Sequence, residues 1–333
     1  MRISVLAAGA WGSALALAFS RRHEVTLWSH EADVVAEIAA SRENRRFLPG
    51  FVLPEKILVI NDLKAAFNQA EILLIATPIA GLRPTLMAIR EQYAKTPPPP
   101  MLWVCKGFEV KSGKLPHGVL EEVFPDPSRR PAYGTLSGPS FAQGVAAGLP
   151  TAITCAAHDM AFARQMAAKL NDGALRIYAS DDLIGVEVGG ALKNILAIAT
   201  GVCDGLTLGD NARAALMTRG LAEIARFGKA LGGRKETFMG LAGAGDLILT
   251  CTGNLSRNRA VGLGLAAGKA LPDILAELGH VAEGVPTALE VARLAEELGI
   301  EMPITQAVTL LLQGQLAPRE AVANLLARNP AEE

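Results

Sequence analysis

Lys193 and Asn194 interrupt an otherwise wholly apolar-and-glycine stretch, Gly189 to Ala197. Burying an ammonium is costly, and burial lowers its pKa toward the range useful for proton transfer. Such a lysine either serves a site or is ion-paired, and perturbed ionisable groups concentrate at sites. Asp246 stands between the glycine-rich run 240–245 and an apolar segment. There it can pair with a buried lysine or cap a helix. Ser256, Arg257 and Asn258 follow, a hydroxyl, a guanidinium and an amide at the mouth of a helix. Fixed donors plus positive charge are what a phosphate needs, although a solvated basic helix start has the same composition. Lys106 emerges from the apolar run Leu102–Cys105, at the strand end beside which ligands of open α/β sheets bind. A solvated loop lysine is the plain alternative. Gly138 and Ser140, in Ser137-Gly138-Pro139-Ser140-Phe141-Ala142, end another strand in a turn whose N–H groups can meet an anion or a cofactor amide.

A second group lies at the start of the chain. An apolar run, Ile3–Leu6, leads through Ala7-Ala8-Gly9-Ala10-Trp11-Gly12 into a helix of small residues. The free N–H groups of such a helix start can hold a dinucleotide pyrophosphate. Gly9 and Gly12 are spaced as the last two glycines of G-x-G-x-x-G, with Ala7 in the first position. At the end of the next strand, Ser29 and His30 replace the acid that NAD-selective proteins carry there. A hydroxyl and an imidazole can hydrogen-bond a 2′-phosphate that an acid would repel. This pair therefore favours NADP(H), with NAD(H) as the alternative.

These residues need elements to place them. Strands are expected at Ile3–Leu6, Val25–Trp28, Ile57–Ile60, Ile72–Ala76, Leu102–Cys105, Ala132–Leu136 and Ala152–Cys155. Several are unbroken apolar runs, as in parallel strands buried on both faces. Helical patterns at Gly12–Arg22, Glu31–Ser41 and Gly81–Tyr93 alternate with them, which indicates a doubly wound sheet. After Ser180 strand signals cease. Asp181–Val202, Asn211–Leu231, Arg257–Ala267, Leu271–Leu278, Thr287–Leu298, Ile304–Gln313 and Pro318–Ala327 read as helices, several punctuated by proline at the start and glycine at the end. The expected fold is α/β, a Rossmann-type doubly wound sheet at residues 1–180 followed by an all-helical domain at 181–333.

Composition sets outer limits. The 333 residues suit about two domains. Lys+Arg 32 against Asp+Glu 33 gives a net charge of −1, so no basic excess argues for nucleic acid. Cys105, Cys155, Cys203 and Cys251, about 50 residues apart and without C-x-x-C, read as buried thiols in a reducing compartment. The five histidines are scattered without ligand spacing, and no metal is expected. The first residues form a strand rather than a leader. The most apolar window, Ile184 to Leu206, carries Glu187, Lys193 and Asp204 and makes a poor membrane span. A cytoplasmic protein is expected, with a small-molecule substrate; a homodimer is compatible with the sequence.

Taken together, the turn at Gly9–Gly12, Cys105-Lys106-Gly107, the Ser137–Ala142 turn, Leu192-Lys193-Asn194, Gly243-Ala244-Gly245-Asp246-Leu247, Ser256-Arg257-Asn258 and Val281-Ala282-Glu283-Gly284 resemble the bacterial-type NAD(P)-dependent glycerol-3-phosphate dehydrogenases. The resemblance runs to about Pro303. It implies that Lys193 is the proton acceptor when glycerol 3-phosphate is oxidised and the donor when dihydroxyacetone phosphate is reduced, with Asp246 orienting it. It implies substrate contacts from Lys106, Gly138, Ser140, Lys193, Asp246, Ser256, Arg257 and Asn258. Cofactor contacts would come from Gly9, Ala10, Trp11, Gly12, His30, Lys106, Ala142, Arg257, Val281 and Glu283. Ala7, where the family has glycine, is the one departure. Two other readings stay in view: a related NADP-dependent reductase of unphosphorylated 3-hydroxy or keto acids, and a non-catalytic NADP(H) sensor. The first has no need of Ser256-Arg257-Asn258, and the second has no use for a lysine and an aspartate in a helical pocket.

Overall fold

Strand β1 (Arg2–Leu6) buries four consecutive side chains, Ile3 to Leu6. A strand can do that only when both its faces are covered. In the computed structural model, which describes residues 1–68, 70–279 and 281–327, β1 lies inside an eight-stranded sheet. Residues 328–333, the end of the expected helical domain, lie outside the described residues. The other strands are β2 (Glu24–Trp28), β3 (Glu43–Asn44), β4 (Leu48–Val52), β5 (Ile57–Ile60), β6 (Ile72–Ile75), β7 (Met101–Trp103), β8 (Tyr133–Ser137), β9 (Thr151–Ala156) and β10 (Leu175–Ser180). The sheet order is β5-β2-β1-β6-β7-β8-β9-β10, and β3 with β4 forms a separate antiparallel hairpin. Val5 of β1 pairs with Leu27 on one side and Leu74 on the other.

From β5 to β8 every pairing is parallel. The chain steps outward from β1 through β2 to β5, then returns to β6 on the opposite side of β1. This is the order of the dinucleotide-binding doubly wound fold, and it opens a crevice where the carboxyl ends of β1 and β6 meet. The Rossmann-type expectation is met.

The strand patterns missed β10 and the β3–β4 hairpin, and the pairing of β9 departs from a uniformly parallel sheet. β9 runs antiparallel to β8. Between them the chain makes only a five-residue helix, Ala142–Ala146. At 1.5 Å per residue that helix spans about 7.5 Å, too little to carry the chain back along a strand of about 17 Å. The chain therefore enters β9 from the end at which β8 stops, and β10 pairs parallel with β9 beyond it.

The chain divides into two compact units, 1–106 with 114–183 and 107–113 with 184–333. Among the described residues the second has no strand. Its axis is the 23-residue helix Leu183–Gly205, whose most apolar window has a mean hydropathy of 1.4, long and apolar enough to cross a membrane. Other protein elements already cover 94% of that helix's apolar window, so it is a core helix. Helix Arg257–Ala266 crosses it where two glycines meet. A Cβ at Gly262 would lie 2.0 Å from the Ile198 carbonyl oxygen, and one at Gly201 would lie 2.1 Å from that of Arg259. The first turn of Arg257–Ala266 lies against the same helix at Asn194, to which Asn258 is bonded.

Candidate active site

In the second unit, Lys193 and Asp246 are 7% and 1% exposed. Asp246 lies in the first turn of helix Asp246–Thr252, which follows a π-helical turn, Leu241–Gly245. The cap position belongs to Gly245, and the Asp246 carboxylate instead accepts a hydrogen bond from the Lys193 ammonium. Of the two roles open to Asp246 in the sequence, the structure selects the pair. Lys193 Nζ also donates to Thr250 Oγ1 at 2.9 Å, and the Thr250 hydroxyl donates to the Asp246 carbonyl at 2.6 Å. Each charge offsets the desolvation of the other, and the threonine fixes the direction of the amine. Thr250 was not singled out in the sequence; the signal was its position one helical turn after Asp246.

Ser256 caps helix Arg257–Ala266, its Oγ accepting from Arg259 N–H at 3.2 Å. The hydroxyl proton can still donate. Arg257 is exposed, and its Nη1 donates to the Val281 carbonyl at 3.3 Å. Asn258 Oδ1 accepts from Gly284 N–H at 2.9 Å, which fixes the amide's polarity, and its Nδ2 donates to Asn194 Oδ1 at 3.0 Å. Arg257 is thus tied to the expected cofactor segment, Val281 to Glu283, and Asn258 to Gly284, where helix Gly284–Glu297 begins. Asn194, which stands out in the sequence only beside Lys193, gains a role here as the partner of Asn258.

In the first unit, Ala10, Trp11 and Gly12 open helix Ala10–Phe19 directly after β1. Gly9 holds the cap position without a side-chain hydrogen bond, and the first helical bond runs from Ser13 N–H to the Gly9 carbonyl. The N–H groups before Ser13 therefore point out of the helix. A Cβ at Gly9 would meet nothing within 4 Å, which leaves room for a pyrophosphate against the backbone. One at Gly12 would lie 2.0 Å from the Ala7 carbonyl oxygen, so glycine is required for the helix to pack on the strand. Ala7 itself has φ 105°, the left-handed side that favours glycine. The three positions meet the three demands of a dinucleotide turn, with strain at the first, and the cradle fits that cofactor.

Helix Ala142–Ala146 packs against helix Ala10–Phe19. Gly138 (φ 148°) sits so close to β9 that a Cβ would lie 2.9 Å from Ile153 Cα, and Ser140 Oγ donates to the Gly138 carbonyl at 2.9 Å. Lys106, half-buried, lies just beyond β7. His30 is exposed at the end of β2, whereas Ser29 is 2% exposed and its Oγ accepts from Glu31 N–H at 3.2 Å. Ser29 thus shapes the turn, which leaves His30 as the outward group of that pair.

Comparison with known proteins gives this arrangement a family. Residues 2–163 match the family described as NAD-dependent glycerol-3-phosphate dehydrogenase N-terminus, and residues 182–323 match its C-terminus. The chain belongs to the NAD-dependent glycerol-3-phosphate dehydrogenase family. It is 61% identical over 333 residues to the glycerol-3-phosphate dehydrogenase [NAD(P)+] of Dechloromonas aromatica, covering 100% of this chain and 99% of that one. Its counterpart from Aromatoleum aromaticum is 56% identical, with 100% of both chains covered. The crystal structure of glycerol-3-phosphate dehydrogenase from Coxiella burnetii superposes with a TM-score of 0.92 at 42% identity, over 98% of this chain and 99% of that one.

Proposed function

We infer that the chain is an NAD(P)-dependent sn-glycerol-3-phosphate dehydrogenase, which reduces dihydroxyacetone phosphate to sn-glycerol 3-phosphate for phospholipid synthesis and runs reversibly. The observation that carries this reading is the buried Lys193 ammonium, held by Asp246 and Thr250, with its chain neighbour Asn194 bonded to Asn258. The nicotinamide, when bound, supplies or takes the hydride. Lys193 stabilises the charge that grows on the ketone oxygen and delivers the proton to it; in the reverse direction it takes that proton back. Asp246 and Thr250 keep the amine in line. Arg257, Ser256 and Asn258 grip the substrate phosphate, whose binding energy positions the small reacting end. We assign further substrate contacts to Lys106, Gly138 and Ser140. Cofactor contacts fall to Gly9, Ala10, Trp11, Gly12, His30, Lys106, Ala142, Arg257, Val281 and Glu283.

By this reading residues 1–180 form the dinucleotide-binding domain and 181–333 the substrate and catalytic domain. The enzyme works in the cytoplasm, where its four buried free cysteines stay reduced. A homodimer is the proposed working form, and sedimentation of the purified protein tests it. The activity is tested by following NADPH and NADH absorbance with dihydroxyacetone phosphate and, separately, with an unphosphorylated keto acid. Oxidation with the phosphorylated ketone alone is expected. Turnover of the keto acid in its place, or of neither, overturns the assignment.

A further inference from the structure

The loop beyond β2 carries a charged pair that the turn residues Ser29 and His30 did not announce. Glu31 Oε1 lies 3.0 Å from Arg46 Nη1, and Asp33 Oδ2 lies 3.6 Å from the same nitrogen. The Arg46 guanidinium stacks over the Phe47 ring, 5.0 Å from its centroid, with 48% of the side chain exposed. Its position is fixed from the other side. Asn44, fully buried, donates to the Ala8 carbonyl at 2.7 Å and to Ser13 Oγ at 2.8 Å, and accepts from Phe47 N–H at 3.2 Å. Asn44 thereby moors the hairpin to the pyrophosphate turn. Arg46 follows two residues later and reaches the end of β2. That is where a doubly wound fold meets the adenosine ribose, with an acid for the 2′-hydroxyl or an arginine for a 2′-phosphate. This chain has both, bonded to each other.

We propose that the Glu31–Arg46 pair selects between the two cofactors, Glu31 taking the ribose 2′-hydroxyl of NAD(H) and Arg46 the 2′-phosphate of NADP(H). An ion pair this exposed contributes little, so a phosphate can open it. The planar guanidinium then makes charge-assisted bonds to the phosphate oxygens, while Glu31 and Asp33 oppose the incoming charge. The pair is therefore a balance, and removing either partner tips it. The inference rests on the dinucleotide reading of the first unit.

The test is a fluorescence titration of the purified protein with NADPH and with NADH, comparing wild type, Arg46→Ala and Glu31→Gln. Adenosine 2′,5′-bisphosphate and adenosine 5′-phosphate serve as competing fragments. Loss of charge-assisted bonds to a phosphate is expected to weaken NADPH by about tenfold or more in Arg46→Ala, with NADH changed by less than about threefold. Glu31→Gln, nearly isosteric, is expected to tighten NADPH and weaken NADH. The bisphosphate is expected to follow NADPH across the variants, and the monophosphate to follow NADH. Equal weakening of both dinucleotides in Arg46→Ala, no change in either, or a same-direction shift in Glu31→Gln overturns the proposal. A wild-type protein that binds neither dinucleotide overturns the underlying reading instead.

Discussion

Single residues decide how tightly the site is drawn. Ala7 holds φ 105° in the turn assigned above to the cofactor, and a non-glycine residue there stores about 1–3 kcal/mol of strain. Glycine relieves that strain but frees the unfolded chain, which returns about 0.5–1 kcal/mol. Ala7→Gly is therefore expected to raise stability by about 1 kcal/mol, the difference between these terms, as measured by urea denaturation. It should leave dinucleotide binding no weaker. A less stable variant would mean that the backbone relaxes around the alanine. Residue types made Lys193, Asp246 and Ser256-Arg257-Asn258 legible in the sequence, because charge and amide groups stand out against apolar surroundings. Their partners were harder to read. Nothing local joins Asn44 to Ala8, Glu31 to Arg46 or Lys193 to Asp246, since the fold alone makes them neighbours.

Elements are legible to the extent that burial is uniform along them. The centre of the sheet could be read because β6 and β7 bury every side chain. β10 alternates, with Arg176 and Tyr178 exposed on an edge, and the β3–β4 hairpin contains Pro49 and Gly50; neither shows an unbroken apolar run. The helices of the second unit were placed by proline and glycine punctuation, but what holds their ends is tertiary. Glu223, buried on helix Asp210–Ala230, accepts from Ile304 N–H at 2.7 Å and Thr305 N–H at 3.3 Å, capping helix Pro303–Leu312 from outside. Burial pushes the Glu223 carboxyl above its ordinary value, against the lowering effect of those bonds. A raised folded value means that its contribution to stability is fully present below the unfolded carboxyl value. That contribution is lost as pH rises through the folded one. Glu223→Gln is expected to flatten the stability–pH curve on the alkaline side of the carboxylate range, read from melts at a series of pH values. An unchanged slope would show that Glu223 titrates as an exposed acid.

At the scale of the whole molecule, the fold joins a dinucleotide cradle to a helical unit with a buried lysine in one chain. If the cradle binds only in the folded state, ligand and stability are linked. NADPH at about 100 times its dissociation constant should stabilise the protein by about 2.7 kcal/mol, seen as a rise in melting temperature. No rise with either dinucleotide would count against the cradle. By the proposed mechanism Lys193 moves the proton while the cofactor site stands independently of it. Turnover of dihydroxyacetone phosphate by Lys193→Ala, measured alongside cofactor affinity in the same preparation, tests this most directly. A fall in kcat of about 10²-fold or more is expected, the size of a lost general acid, with cofactor affinity within about threefold of wild type. Near-normal turnover in a variant that binds cofactor would contradict it.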